Sequence, residues 1–289
     1  MTSIIFYLQL ARAPAVFTAI SNILASQLII EQGLVNWFNL IALSCSSSLI
    51  YIAGMVLNDC FDIEVDRRER PSRPLPSGQI PLLQAWLIGW FCLIAGLLIS
   101  AILSLTTLII AILLATAVLL YDGLLKNTGV GPLVMGSCRY LNWLLGLSTV
   151  TLTFESYLIA LPIFTYVISL TYLSRAEISA DKRSALLVCI FGVLATSTII
   201  GFLILNDILK HDWAIVLLLP ALFFVLFRLI KTYMSFTPGN IQQTMKMLIM
   251  GIIPLDTILV FAGGPWWGGL FVILLIIPGR MLAKKIYIT

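Results

Sequence analysis

The chain has 289 residues, of which 60% are hydrophobic and only 10% charged, with a mean hydropathy of +1.06. That composition excludes a water-soluble globular domain of this size, and recurring apolar runs of about 17 residues or more indicate transmembrane helices rather than the short alternating segments of a membrane β-barrel. The formal net charge of +4 is modest and calls for no nucleic acid partner, because the basic residues lie at segment ends.

Taken in order, the chain begins MTSIIFYLQLAR. This stretch lacks a basic n-region and a small-residue cleavage site, so it reads as mature sequence and not as a signal peptide. Ten apolar segments come after it, at roughly 13–30, 37–57, 82–103, 105–120, 131–152, 157–173, 185–206, 213–230, 245–262 and 266–282. Very short joins are expected at Ser104 and at Gly263 to Pro265. The tenth segment is short and contains Pro278 and Gly279. Cysteines 45, 60, 92, 138 and 189 show no C-x-x-C spacing and read as small core residues. His211, among Asn206, Asp207 and Asp212, reads as a loop residue, and Trp266-Trp267 as an interfacial aromatic pair. Asp256 lies within a segment, where it either faces a cavity or accepts buried hydrogen bonds. Asn22 likewise either lines a pocket or bonds a neighbouring helix.

Charge sets the expected orientation. If the loop after the second segment is cytoplasmic, fifteen of the seventeen Lys and Arg fall on that side. Lys210 is on the other side and Arg139 is within a segment. An even number of spans then leaves Lys284 and Lys285 inside. The asymmetry bears on sidedness and not on the membrane itself, for which a bacterial-type inner membrane or a photosynthetic membrane would fit.

The most charged stretch is Asn58 to Gly78, NDCFDIEVDRRERPSRPLPSG, with five acidic and four basic side chains. On a helix Asn58, Asp62 and Asp66 recur at i, i+4 and i+8 and share one face, with a drift of about 40° per step. A second polar cluster, SRAEISADKR, runs from Ser174 to Arg183. Four segments separate it from the first, so both clusters fall on one membrane face. Ser174, Glu177 and Asp181 sit at i, i+3 and i+7. The spacing suggests a single domain over 1–289 made of two pseudo-repeated four-helix halves, with motifs at 58–78 and 174–183.

Two acidic faces meeting at a membrane surface suit Mg²⁺, which takes oxygen ligands and is usually held by one or two carboxylates plus substrate phosphates. A polyphosphate is the natural bridge. Arg67, Arg70, Arg73 and Lys126 are available to neutralise its remaining charge. The adjoining bilayer suggests that the phosphate carries a long apolar tail. Arg139 is costly in lipid unless it is paired or faces a cavity.

At this point the residues resemble a known family. N-D-x-x-D-x-x-x-D followed by R-P-x-x-R-P-L-P-S-G is similar to the first signature of the UbiA-type intramembrane prenyltransferases. Arg12 and Pro14 before the first segment, and Tyr121 to Lys126 before the fifth, also look like that family. Its second signature is usually D-x-x-D-x-x-x-D. Here it reads Ser174-x-x-Glu177-x-x-x-Asp181-Lys182-Arg183. The block YDGLLKNTGVGPLVMGSCRYLN looks most like the EboC-like branch.

The resemblance implies an all-α integral membrane bundle of nine to ten transmembrane helices around a central cavity. It implies transfer of a prenyl group from a polyprenyl diphosphate to a small or lipid-like acceptor, often aromatic and not identified by any motif here. Carried over, Asn58 and Asp62 would hold one Mg²⁺, with Asp66 supporting that site or the arginine network. Glu177 and Asp181 would hold the second ion. The diphosphate-binding set is Arg67, Arg70, Arg73, Lys126, Arg139 and Lys182. The catalytic set is Asp59, Asp62, Asp66, Lys126 and Arg139, with Asp59 as the base, out of line with the metal face by about 100°. Aromatic rings would stabilise an allylic cation through their faces, and Tyr121, Tyr140, Trp143 and Tyr172 lie near the proposed site in sequence order.

Other readings compete. Glu177 would alternatively pair with Arg175, Lys182 or Arg183 at the interface. Ser174 in place of an acid removes one charge, and a non-catalytic isoprenoid carrier or membrane-complex component would have the same fold. A phosphatidyltransferase of the CDP-alcohol type is set aside, because Asp122-Gly123 is followed by Leu124-Leu125-Lys126 and the D-G-x-x-A-R signature is missing.

Overall fold

The computed structural model describes residues 2–175 and 183–287, which form helices and connecting turns with no strand among them. In chain order the helices are α1 Thr2–Leu10, α2 Ala13–Ile30, α3 Trp37–Phe61, α4 Ile63–Glu69 and α5 Leu82–Leu103. They continue with α6 Leu105–Leu120, α7 Gly131–Leu147, α8 Phe154–Ile159, α9 Leu161–Ser174 and α10 Ser184–Leu205. The last five are α11 Ile215–Met234, α12 Pro238–Met250, α13 Ile252–Gly263, α14 Trp266–Leu274 and α15 Ile276–Tyr287.

Among the described residues nine stretches are long and apolar enough to cross a bilayer. Three of them, Phe154–Ser174, Pro238–Gly263 and Trp266–Ile286, each combine two helices. Prolines mark these interruptions: Pro162 enters the first turn of α9, Pro254 that of α13 and Pro278 that of α15. Proline is tolerated in a first turn because its missing N–H would have no partner there. The short tenth segment is therefore helical through Pro278 and Gly279. The expected segment outside the nine is α7, which has only 17 residues and a length of about 25 Å. It carries Arg139, Asn142 and Trp143. The chain is an integral, multi-pass membrane protein.

Some of the joins are tight. Ser104 alone links α5 to α6, and its hydroxyl caps α6 by accepting from Thr107 N at 3.0 Å. Helices α5 and α11 turn large apolar side chains outward, among them Phe91, Phe223 and Phe227. That is the polarity expected where lipid replaces water. Close approach of backbones supplies the packing inside. At Gly96 on α5, a Cβ would lie 2.8 Å from Ile50 of α3, and Ser46 donates to the Gly96 carbonyl at 2.8 Å.

Polar side chains stitch the centre. Asp256 of α13 is fully buried. It accepts from Ser21 and Asn22 of α2 and from Trp143 of α7, at 2.5, 2.8 and 3.0 Å. Asp256 is thus a hydrogen-bonded core residue, and Asn22 bonds neighbouring helices. Asn142 donates to the Ala19 carbonyl at 3.1 Å and accepts from Ser47 at 2.6 Å. These bonds hold α2, α3, α7 and α13 in a fixed register.

Candidate active site

The site starts from a stripe on α3. Gly54, Asn58 and Asp62 lie four residues apart and stack along one side. Asp62 is the C-cap, its N–H still bonding the Asn58 carbonyl at 3.0 Å. Helix α6 reaches the same end of the bundle and widens into a π-helical turn, Tyr121–Leu125. There the Lys126 N–H bonds the Tyr121 carbonyl at 2.9 Å. The extra residue of a π turn changes the azimuth of the residues beyond it. Lys126 is thereby brought onto the α3 stripe, and its ammonium donates to Asp62 Oδ1 and, at 3.3 Å, to Asn58 Oδ1. Arg175, just past α9, donates to the Lys126 carbonyl at 3.1 Å and to the Thr128 carbonyl, which ties the loop after the turn to α9.

A cavity of about 430 Å³ lies at this junction, lined by Asn58, Asp62, Asp122, Lys126 and Ser174. Arg12, Arg70 and Tyr121 also reach it. The first residue of the second polar cluster therefore faces the first cluster across one cavity. Glu177, Asp181 and Lys182 lie outside the described residues. Among the described residues no three His, Cys, Asp or Glu side chains gather closely enough to hold a metal by themselves. The donors do suit a hard divalent cation. The Lys126 ammonium already bridges two side-chain oxygens four residues apart, so a cation is held at that point. Mg²⁺ needs only one or two carboxylates beside water and phosphate.

Asp66 leaves the shared face for the arginine network, the other place the sequence allowed it. Two steps of about 40° add to roughly 80° by i+8, and the helix is interrupted at Asp62 between α3 and α4. The buried Asp66 carboxylate turns to Arg73 at 2.6 Å and Arg70 at 3.8 Å. Asp59 points away from the α3 stripe too. It is buried between Arg12 at 3.2 Å and Arg73 at 3.6 Å, and faces a separate cavity of about 240 Å³. Asp59 and Asp66 thus form a carboxylate–arginine cluster beside the main cavity. Arg12 holds a left-handed backbone conformation, φ 45° and ψ 45°, at the start of α2. Such a conformation costs a non-glycine residue about 1–2 kcal/mol. It places one guanidinium where both cavities meet.

The other expected cations divide. Arg70 and Lys126 line the main cavity. Arg67 is exposed and pairs with exposed Glu64 at 2.7 Å. Arg139 lies deeper, where it donates to Thr18 at 3.0 Å and Asn22 at 3.5 Å and sits 5.3 Å from the centre of the Tyr51 ring. Of the four aromatic candidates, Tyr121 lines the cavity. Trp143 is bonded to Asp256, Tyr140 to the Tyr157 carbonyl at 3.2 Å, and Tyr172 is exposed. Sequence reasoning weighed Asp122 only against a missing phosphatidyltransferase signature and not as a site residue; the available signal was an acid four residues before a lysine at the end of an apolar segment.

The fold and site define a class: a helical membrane protein whose polar ends converge on an oxygen-lined, cation-rich cavity. Residues 19–252 match the UbiA prenyltransferase family, and the chain belongs to that family. Among similar proteins, digeranylgeranylglyceryl phosphate synthase of Sulfurisphaera tokodaii is 31% identical over 130 residues, 45% of this chain and 47% of that protein. The synthase of Methanocaldococcus jannaschii is 55% identical over 47 residues, 16% and 17% of the two chains. The matched regions therefore span about half or less of these relatives. Among solved structures, a UbiA homologue from Archaeoglobus fulgidus bound to DMAPP and Mg²⁺ superposes with a TM-score of 0.71 at 13% identity, covering 92% of this chain and 98% of that one. A structure from work on digeranylgeranylglyceryl phosphate synthase in membranes gives 0.70 at 23% identity, covering 91% and 99%. Both likenesses are of fold.

Proposed function

We propose that the protein transfers a prenyl group from a polyprenyl diphosphate to a small or lipid-like acceptor within the membrane. The observation that carries this reading is the convergence of Asn58, Asp62 and Lys126 on one point of a cavity that Arg12 and Arg70 also line. The site offers oxygens for a cation and positive charge for a diphosphate, at the end of a bundle whose core is mostly apolar. The synthase relatives and the DMAPP- and Mg²⁺-bound homologue support it.

In this reading Asn58 and Asp62 hold one Mg²⁺, and Glu177 and Asp181 are proposed for a second. When bound, Mg²⁺ supplies positive charge to the leaving diphosphate. Arg12, Arg70 and the Lys126 ammonium, which the cation would displace from Asp62 towards the diphosphate, stabilise the same charge. Tyr121 offers a ring face near the cationic carbon, a contribution of about 0.5–2 kcal/mol. The Lys and Arg asymmetry supports a cavity mouth on the cytoplasmic side.

The test is pyrophosphate release by purified protein in lipid nanodiscs, with geranyl, farnesyl and geranylgeranyl diphosphates and a panel of phenolic, sugar and glyceryl phosphate acceptors. Release that needs Mg²⁺, an acceptor and Asp62 is expected. Ser174 in the cavity favours one second reading, a non-catalytic isoprenoid carrier. That reading expects prenyl diphosphate binding without release across the whole panel.

A further inference from the structure

Asp122 is the remaining acid of the main cavity. It is 3% exposed, it lines the cavity wall, and its Oδ2 has no hydrogen-bond partner among the described residues. A buried carboxylate oxygen without a partner is costly and calls for a reason. Its position along the bundle supplies one. Lys126 follows Asp122 by four residues, as Asn58 follows Gly54 on α3. Both helices end at the same face of the bundle. A Cβ at Gly54 would lie 3.7 Å from Asp122 Oδ2, so the carboxylate occupies the space left open beside that glycine. Asp122 therefore sits one turn, about 5–6 Å, deeper in the membrane than the level of Asn58 and Lys126.

A prenyl diphosphate spans the same depth. Its diphosphate belongs with Asn58, Asp62 and Lys126, and its chain with the apolar interior. The bond that breaks, between the first prenyl carbon and the diphosphate oxygen, then falls just below the Lys126 ammonium, at the level of Asp122. Asp59, the other acid considered as a base, is clamped by Arg12 and Arg73 on a different side of α3.

We propose that Asp122 Oδ2 is the proton acceptor of the transfer reaction, a role that rests on the function proposed above. The carbon–oxygen bond to diphosphate breaks and its electron pair leaves with pyrophosphate. The acceptor hydroxyl oxygen forms the new bond to the prenyl carbon. Its proton passes to the Asp122 carboxylate and then leaves to water at the cavity mouth. Two properties suit Asp122 to this. Its oxygen is not engaged by another donor, and the site is sheltered enough that the proton taken is the acceptor's rather than bulk water's.

The experiment compares wild type, Asp122→Asn and Asp122→Glu in nanodiscs, using geranylgeranyl diphosphate and whichever acceptor supports wild-type transfer. Three quantities are read: product formation, affinity for the unreactive thiolodiphosphate analogue of the donor, and Mn²⁺ affinity by electron paramagnetic resonance. A positioned base contributes about 10²–10⁴-fold. Asp122→Asn should therefore lose about a hundredfold or more in product formation, while analogue and Mn²⁺ affinities stay within about threefold. Asp122→Glu should recover part of the rate. Retained turnover in Asp122→Asn overturns the proposal. So does a fall in Mn²⁺ affinity that accounts for the lost rate, which would make Asp122 a metal ligand, and so does loss of all three readouts together, which would make it structural. If wild type itself transfers to no acceptor, the functional reading fails first and this role falls with it.

Discussion

Lys126 and a divalent cation compete for the same two oxygens, and that competition has a sign that can be measured. Lys126→Met removes the ammonium and keeps much of the side chain's length. Two unit charges 4 Å apart interact by about 1 kcal/mol in water and about 4 kcal/mol at an effective dielectric of 20. The Lys126 and Asp62 side chains are 20% and 24% exposed, so the site falls between these limits and about 2 kcal/mol is a fair value. In the wild type a cation arriving at Asn58 and Asp62 must first displace the ammonium. In Lys126→Met it need not. At 1.4 kcal/mol per tenfold, Mn²⁺ should bind the variant about 30-fold more tightly when no diphosphate is present. Transfer should move the other way and fall at least tenfold, because the ammonium then no longer meets the leaving diphosphate. Mn²⁺ titration followed by electron paramagnetic resonance, beside a transfer assay on the same samples, reads both. Unchanged or weaker Mn²⁺ binding in Lys126→Met would refute the reasoning that the ammonium marks the cation position.

The same contacts set other outcomes. Asp66→Ala removes the closer carboxylate from Arg73, which keeps Asp59 at 3.6 Å, and should cost about 1.5–3 kcal/mol, seen as a lowered unfolding temperature in detergent, whereas Arg67→Ala removes an exposed pair and should change stability by less than about 1 kcal/mol. Asp256→Ala strands the Ser21, Asn22 and Trp143 donors. At about 0.6–1.7 kcal/mol per intramembrane hydrogen bond it should cost about 2–5 kcal/mol, and unfolding within about 1 kcal/mol of wild type would contradict the network. Gly54→Ala sets a Cβ 2.7 Å from the branched Val118 side chain, and the expected outcome is a shift of α6 against α3. Transfer activity should fall severalfold more than stability does, because the shift carries Asp122 and Lys126 with it.

The membrane spans were legible in the sequence because lipid imposes a length and a composition that soluble folds do not share. The exception, α7, is short and carries the polar residues Arg139 and Asn142, so its apolar run extends beyond the helix itself. The first motif was legible where the argument was local. Asn58 and Asp62, one turn apart, do share a stripe. Asp66 does not, because the drift accumulates and the chain breaks at Asp62, where arginines on the far side of the turn offer it partners. Pairings across long separations were not legible. Nothing in a linear pattern joins Arg12 to Asp59, or Asp256 to Asn22. The π-helical turn was hidden as well: Tyr-Asp-Gly-Leu-Leu-Lys reads as the end of an ordinary helix, and only the wider turn brings Lys126 to the α3 stripe and leaves Asp122 facing the cavity.

The central claim is that this bundle moves a prenyl group, and the most direct measurement follows the group itself. Protein in nanodiscs is given geranylgeranyl diphosphate labelled at its first carbon, Mg²⁺ and the acceptor panel, and extracted lipids are analysed by mass spectrometry for covalent adducts. Wild type should yield a labelled acceptor that disappears with Asp62→Ala and with EDTA. Labelled donor recovered intact with every acceptor, from protein that binds it, would contradict the claim.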